Sequence, residues 1–360
     1  MANPPALNQL VHLVGSVPLA SATDVFRDVS DVLGAHVRRI PDGETGERTG
    51  WVGFQVDVLR AHPSFEVKPS EAAGETEDDL DRASRAEGED YQRPLFTLRA
   101  GVDPAGLTFG HLGYADSALA SYATFAELKT AGVIRPDTRF QVSLPTPLAP
   151  LAIFVNPPEI AAVLPAYHAA MMRELAELCA AVPHSELAVQ WDVAPEIGLL
   201  EGVFPVPVDG DPQAMVAHSL VALGNEVPVD VPLGYHLCYG DYGHKHFVEP
   251  KDMAVLVDLI NLVAAGLARP LNWVHMPVPR ARDDADYFRP LENLRLASDT
   301  ELYLGLVHAT DGQEGARRRL VAASEFRSSF GVGTECGFGR RDPKTIPALL
   351  ALHRDVVASR

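Results

Sequence analysis

Short β-rich runs alternate with helical stretches along most of this sequence, and the alternation constrains the fold more than any other feature. Eight runs predict strands, and amphipathic helical patterns lie between most of them. Strands that alternate with helices are typical of a parallel α/β sheet. The candidate strands are centred near residues 13, 39, 142, 190, 236, 274, 305 and 335.

Eight strands with intervening helices predict an α/β fold of the (β/α)8 TIM-barrel type. We expect one barrel domain over residues 1–360, with an excursion over about 45–135 between strands 2 and 3. This insertion should hold one or two helices and an acidic part, since ten acidic residues lie between Glu66 and Asp90. A doubly wound open sheet is the alternative, but no G-x-G-x-x-G motif follows the first strand.

The net charge and the cysteine content indicate which partners and which cellular compartment to expect. The net charge of −18 disfavours nucleic acid and anionic membrane surfaces, so small molecules are the expected partners. Three cysteines without paired spacing are typical of a reducing compartment rather than of a disulfide scaffold. The sequence opens without a secretory signal pattern, and none of its apolar runs reaches membrane-spanning length. We therefore expect a cytoplasmic protein.

The segment YHLCYGD contains His236 and Cys238 two residues apart on a predicted strand, so both side chains point to one side. Cys336, in the later segment GTECGFGRR, can add a second sulfur from another strand. Two sulfurs and an imidazole suit Zn²⁺ and leave one position for a substrate. Taken alone, the H-x-C pair is more simply a core histidine beside a buried thiol, and Cys336 is what favours a metal site.

Polar residues end most of the predicted strands, and in a barrel these ends face one pocket. In the loop after strand 2, Arg48 and Trp51 could clamp an anionic group, or the loop could be a salt-bridged lid without ligand contact. Asp42 and Glu44 in the same loop could bind substrate or cap the following helix. His308 ends a later strand and is a candidate acid/base, although lone histidines are more often structural.

The order VGS, DGE, PTP, WD, HLCYGD and CGFGRR resembles the catalytic barrel of cobalamin-independent methionine synthase and the wider group of single-barrel zinc alkyltransferases. The resemblance covers roughly residues 9–345, mostly as short motifs. It implies that His236, Cys238 and Cys336 bind zinc, which activates a thiol. The family's strand-six glutamate falls on His275, which could be a fourth zinc ligand or a substrate-facing base. A degenerate metal site is the third interpretation.

The resemblance further implies that Gly15, Ser16, Glu44 and Asp192 hold the amino acid part of the thiol substrate. Carboxylates bind an ammonium group through charge-assisted hydrogen bonds. His308 stands where the family usually carries an aspartate. Because 360 residues leave no room for the second, N-terminal barrel of full-length methionine synthases, we expect a different donor. A methylated corrinoid protein, a small methylated metabolite and an epoxide are the candidates.

The sequence therefore predicts a zinc-dependent transferase that moves a methyl or other alkyl group to a thiol. A zinc lyase or hydrolase, an epoxide-opening thiol transferase and a non-catalytic small-molecule-binding barrel are the alternatives. The expected partners are a small thiol and an alkyl donor, with a corrinoid protein or a second copy of the chain left open. The predicted residues are His236, Cys238, His275 and Cys336 for the metal, His308, Asp192 and His275 for catalysis, and Gly15, Ser16, Asp42, Glu44, Arg48, Trp51 and Asp192 for the substrate.

Overall fold

A computed structural model of the protein describes residues 6–68, 94–203, 210–240 and 246–359, and the fold is given for these ranges. Seven strands form one curled parallel sheet, β1-β4-β5-β6-β7-β8-β9, in which neighbours follow chain order, and β2 and β3 form a separate antiparallel pair. The strands are β1 (Arg39–Pro41), β2 (Phe65–Val67), β3 (Phe96–Leu98), β4 (Arg139–Pro145), β5 (Leu187–Val193), β6 (Leu233–Leu237), β7 (Trp273–Pro277), β8 (Glu301–Val307) and β9 (Gly331–Thr334).

Helices connect the strands of the parallel sheet and cover its outer side. The first of them begins after Ser21, whose Oγ accepts a 3.2 Å hydrogen bond from the Asp24 N–H, and its apolar residues Val25, Phe26 and Val29 are buried against the sheet. In the described ranges the α-helices are α1 (Ala22–Leu33), α2 (Gln55–Ala61), α3 (Tyr114–Thr130), α4 (Leu148–Phe154), α5 (Ile160–Ala181), α6 (Pro195–Leu200), α7 (Pro212–Glu226), α8 (Ala254–Gly266), α9 (Ala285–Phe288), α10 (Gly312–Ser324) and α11 (Ile346–Ala358).

The predicted α/β fold is confirmed, and the seven later strand predictions each correspond to a strand of the parallel sheet. The first predicted strand, near residue 13, makes only single parallel bridges, from Val11 to Val332 in β9 and from Ser16 to Gly43 after β1. Part of its backbone bonds to a side chain instead of to a strand: the Gln141 amide donates to the carbonyl oxygens of residues 13 and 14 at 3.0 and 2.9 Å. A regular eighth strand is therefore not shown.

The excursion between β1 and β4 contains α2, α3 and the β2–β3 pair. The sequence predicted one or two helices here but not the antiparallel pair. Most of the acidic run, residues 69–93, lies outside the described residues.

The central strands β5, β6 and β7 are buried along their whole length. One side of each strand faces the apolar helices, and polar side chains lie on the inner side of the sheet. These inner polar residues include His12, Gln141, Ser143, Gln190, His236 and His275, all buried. Polar side chains thus line the inner side of the curled sheet.

Within the described ranges, none of the helices has both the length and the apolar character that crossing a bilayer requires.

Candidate metal centre and adjoining pocket

Three residues at the ends of β6 and β9, two strands that are separated in the sheet by β7 and β8, bring a nitrogen and two sulfurs together. His236 lies in β6. Cys238 follows this strand and extends its pairing with β5, because the Cys238 N–H donates to the Val193 carbonyl at 2.8 Å. Cys336 follows β9. The Sγ atoms of Cys238 and Cys336 are 3.6 Å apart, and the Sγ of Cys336 is 3.6 Å from Nε2 of His236. The three donor atoms all lie within 4.8 Å of one another.

This spacing fits a zinc ion. Tetrahedral zinc with bonds of about 2.3 Å to sulfur and about 2.0 Å to nitrogen separates two sulfurs by about 3.8 Å and a sulfur from a nitrogen by about 3.5 Å. Both close contacts in the cluster agree with these values. His236 and Cys238 are buried and Cys336 is half-buried, so the cluster is open on one side. Soft sulfur with imidazole is a donor set that zinc prefers.

The structure places His275 behind this cluster rather than in it. Its Nδ1 is 2.8 Å from Nδ1 of His236, and its Nε2 is 3.0 Å from the carbonyl oxygen of Thr334. Burial lowers the pKa of His275 to about 3, and burial together with His275 lowers the pKa of His236 well below its ordinary value. With both ring nitrogens engaged, His275 does not meet the geometric requirement for the fourth zinc ligand that the sequence suggested.

Two buried carboxyl groups, Glu44 and Asp192, lie beside the sulfur cluster. Burial raises the pKa of Glu44 to about 7 against the opposing charge of Arg48. Burial also raises the pKa of Asp192 well above its ordinary value, and the nearby Glu44 and Cys238 add to the shift. The Asp192 Oδ1 accepts a 2.8 Å hydrogen bond from Gln190. Two acids that resist ionisation in a shared pocket are suited to binding a cationic group.

The loop after β1 holds Glu44 in an unusual backbone conformation. Glu44 has φ 51° and Trp51 has φ 56°, both in the left-handed region that non-glycine residues rarely adopt. Asp42 fixes the turn, since its Oδ1 accepts from the Glu44 N–H at 3.0 Å and its Oδ2 pairs with buried Arg48. The sequence left open a clamp or a salt-bridged loop, and the structure shows Arg48 in the salt bridge. Trp51 lies near Asp192, where it opposes the rise in the pKa of that carboxyl.

Gly15 and Ser16 lie next to these groups in the extended segment. A Cβ on Gly15 would come 3.1 Å from the Glu44 Oε1, so glycine lets the carboxyl approach the backbone. The Oγ of Ser16 accepts a 3.2 Å hydrogen bond from the Gly339 N–H, and its carbonyl accepts from Phe338 at 2.7 Å. Ser16 therefore holds the loop that follows Cys336.

His308 lies close to Glu335, which directly precedes Cys336. Its Nε2 donates to the Val278 carbonyl at 2.8 Å, and its Nδ1 is 4.0 Å from the Glu335 carboxylate. Burial, with Arg319 nearby, lowers the pKa of His308 to about 4. His308 is therefore neutral at pH 7.

Two residues of this region were missed by the sequence reasoning. His246 is part-buried and lies 2.7 Å from Glu335; burial opposes its charge, but this contact raises the pKa of His246 to about 9. Glu196, in α6 after β5, is buried, and burial raises its pKa to about 7. A second acid four residues after Asp192, just beyond the end of β5, was the available signal for Glu196. Residues 241–245, which include His244 and Lys245, lie outside the described residues.

Comparison with known proteins bears on the fold. No protein-family model and no curated protein matches this sequence. In structure the chain is similar to a B12-independent methionine synthase from Shewanella sp. W3-18-1 in complex with selenomethionine, with a TM-score of 0.60 and 14% identity over 98% of each chain. A second protein, from Listeria monocytogenes and of the vitamin-B12 independent methionine synthase kind, aligns at 14% identity over 93% of this chain and 86% of its own. Its TM-score of 0.47 is too low to carry an argument.

The Shewanella structure therefore shows that this chain shares the overall α/β fold of a B12-independent methionine synthase. At 14% identity the similarity extends to the fold alone, and the chemistry has to be argued from the residues of the site.

Proposed function

We propose that this protein is a zinc-dependent transferase that moves a methyl or other alkyl group to the sulfur of a small amino thiol. The observation that carries the proposal is the convergence of the His236, Cys238 and Cys336 donor atoms within 4.8 Å of one another, with the two separations from the Cys336 sulfur close to those of tetrahedral zinc. The proposal includes a closed eight-stranded barrel with residues 10–17 as its first strand, which the single bridges to β9 and to Gly43 support.

His236, Cys238 and Cys336 would hold the metal, and three protein donors leave one of four tetrahedral positions for a substrate sulfur. Zinc bound there supplies the positive charge that keeps a coordinated thiol ionised, and therefore nucleophilic, at neutral pH. The half-buried Cys336 lies on the open side of the cluster. A small thiol can therefore approach the cluster from that side.

Glu44 and Asp192 would bind the ammonium group of the thiol substrate. Burial holds the pKa of Glu44 at about 7 and that of Asp192 well above its ordinary value. A cation between the two carboxyls favours their ionised forms and so offsets the effect of burial. The hydrogen bond that Gln190 donates to Asp192 keeps its carboxyl oriented. The Shewanella protein was solved with selenomethionine, an amino acid that carries an ammonium group and a methylated selenium, the counterpart of a methylated thiol, and this supports the substrate class.

His308 is the candidate for moving the proton that the thiol loses. Its Nε2 proton is committed to the Val278 carbonyl, which leaves Nδ1 as an acceptor on the side of Glu335. The alkyl donor remains open among a methylated corrinoid protein, a small methylated metabolite and an epoxide.

Elemental analysis of the purified protein tests the metal centre. We expect about one zinc per chain in the wild type and its loss in Cys238→Ser and in Cys336→Ser. Cys179→Ser is the matched control, because Cys179 lies in α5 away from the cluster and its replacement should leave the zinc in place. A wild-type protein that binds no zinc even when zinc is supplied would contradict the proposal.

X-ray absorption at the zinc edge then separates the transferase from a lyase or hydrolase. Addition of an amino thiol such as homocysteine should add one sulfur to the zinc environment. If the environment keeps an oxygen ligand and gains no sulfur with any amino thiol, a metal-bound water is the nucleophile and the transferase proposal fails.

A further inference from the structure

His275 connects a candidate metal ligand to the backbone of a distant strand. It is the register partner of His236 on the neighbouring strand β7, and the two Nδ1 atoms lie 2.8 Å apart. Its other ring nitrogen, Nε2, lies 3.0 Å from the carbonyl oxygen of Thr334 in β9. His275 is completely buried, and His236 nearly so. A chain of two hydrogen bonds therefore runs from β9 through His275 to His236.

The Thr334 carbonyl oxygen decides which atoms donate and which accept in these two hydrogen bonds. A carbonyl oxygen can only accept, so Nε2 of His275 must carry a proton. His275 is neutral, because it is fully buried and its ring contacts no carboxylate among the described residues. A neutral imidazole has one N–H, so Nδ1 of His275 is an acceptor. The Nδ1–Nδ1 contact then requires a proton on Nδ1 of His236.

A proton on Nδ1 leaves the lone pair of His236 on Nε2, the atom that lies 3.6 Å from the Cys336 sulfur. Metals bind the unprotonated ring nitrogen, and the hydrogen bond made by the other nitrogen decides which one that is. We propose that His275 is a positioning residue that fixes the His236 proton on Nδ1 and so presents Nε2 to a metal held with Cys238 and Cys336. The inference rests on the metal centre of the proposed function but not on the transfer reaction.

The packing around His275 holds its ring in this orientation. Gly333 lies against it, and a Cβ at that position would come 3.1 Å from Nε2 and 2.9 Å from the His12 carbonyl. The His12 ring packs on the other side, with ring centroids 5.5 Å apart. Because β9 approaches this closely only through a glycine, the Thr334 carbonyl is fixed within reach of Nε2.

Nitrogen NMR of the metal-free protein, labelled with ¹⁵N-histidine, tests the proton assignment directly. The two-bond correlations of each ring distinguish an Nδ1–H from an Nε2–H imidazole, and His236→Gln and His275→Asn identify the two signals. We expect Nδ1–H for His236 and Nε2–H for His275 at pH 7.5. An Nε2–H imidazole at His236 would overturn the inference. This measurement needs neither metal nor activity, so it tests the proton assignment on its own even if the wild type binds no zinc and the proposed function fails.

Zinc affinity, measured by competition with a chromogenic chelator, tests the consequence. His275→Phe keeps a flat ring but removes the acceptor, and we expect it to weaken zinc binding about tenfold to a hundredfold. His275→Asn places an amide oxygen near the position of Nδ1 and should recover most of that loss. Asparagine is a poor zinc ligand, so recovery also separates positioning from direct ligation.

The matched control is His12→Phe, which keeps an aromatic ring packed on His275 but replaces a buried histidine that makes no hydrogen bond to His236. Its zinc affinity should stay within about threefold of wild type. Equal losses in His12→Phe and His275→Phe, or equal losses in the Phe and Asn variants at position 275, would overturn the inference. Circular dichroism confirms that each variant is folded before its affinity is compared.

Discussion

Gln190 donates a 2.8 Å hydrogen bond from Nε2 to Oδ1 of Asp192, two residues further along β5. The amide oxygen of Gln190 accepts from the Trp273 Nε1–H at 3.2 Å and lies 2.8 Å from Nε2 of His12. Because an indole only donates, the oxygen must face Trp273 and the NH₂ must face Asp192. The interior of the sheet therefore sets the orientation of a carboxyl that we assign to substrate binding.

Gln190→Met should destabilise the protein by about 2–4 kcal/mol, because it leaves several buried polar groups without partners while nearly preserving volume. Urea unfolding at pH 7.5 measures the change. Gln313→Met is the control, since Gln313 is exposed on α10 and its replacement should change stability by less than about 0.5 kcal/mol. Equal stabilities of the two variants would show that the buried network contributes nothing.

Glu44→Gln should change the pH dependence of stability. Burial raises the pKa of Glu44 from 4.5 to about 7, so between these values the folded chain holds a proton that the unfolded chain releases. The stability from this group is complete below pH 4.5 and is lost as the pH rises through 7. Glutamine cannot ionise, so the free energy of unfolding of the variant should exceed that of the wild type by about 1–3 kcal/mol at pH 8, with a smaller difference at pH 5.

Urea unfolding of both proteins at pH 5, 6.5 and 8 measures this difference. The control is Glu314→Gln on the exposed side of α10, for which we expect no pH-dependent gap. A gap for Glu44→Gln that is constant across the range would contradict the prediction.

Gly337→Ala should disrupt the loop after Cys336. A Cβ at position 337 would come 2.2 Å from the Oγ of Ser16, which is itself held by the Gly339 N–H. We expect a stability loss of about 1–3 kcal/mol and weaker zinc binding. In the double variant with Ser16→Ala the nearest remaining contact is the Ser16 backbone nitrogen at 3.3 Å, so much of the loss should be recovered.

The measurements for this pair are thermal unfolding and zinc competition on the two single variants and the double variant. Ser16→Ala alone is the control for the lost hydrogen bond. Additive effects of the two changes would show that the predicted clash does not exist.

The three thiols should differ in their reaction with iodoacetamide at pH 8. Burial raises the pKa of Cys179 to about 11, so its thiol should react slowly. Cys336 is half-buried and should be alkylated in metal-free protein but protected when zinc is present. Peptide mass spectrometry measures each site separately. Alkylation of Cys336 at the same rate with and without zinc would argue against its role as a ligand.

The strands of the sheet could be predicted because buried parallel strands leave short apolar runs in the sequence, as in LAVQWDV of β5. Residues 10–17 carry the same kind of run, yet their carbonyls accept from side chains such as Gln141 and Ser143. A pattern of apolar residues does not show which donor a backbone carbonyl will meet. The regular first strand was therefore predicted where only single bridges form.

The approach of His236, Cys238 and Cys336 could be anticipated because all three end neighbouring or nearby strands of one sheet. The placement of His275 could not, since its hydrogen bonds depend on the register of β7 against β6 and on the glycine that lets β9 approach. The pairing of His246 with Glu335 joins a loop to the end of a strand across 89 residues. Such contacts between loops leave no periodic signal in a sequence.

The raised pKa values of Glu44 and Asp192 affect the number of protons released and the enthalpy measured when a ligand binds. If an amino compound binds between these carboxyls, Glu44 must give up the proton that burial favours up to about pH 7, and the solution takes that proton up. Apparent affinity would then rise from pH 5.5 toward pH 8. The enthalpy measured by calorimetry would depend on the ionisation heat of the buffer, so that phosphate and Tris report different values for the same complex. A pocket of two buried acids thus exchanges protons for a cation, and the pH of its surroundings sets how readily it fills.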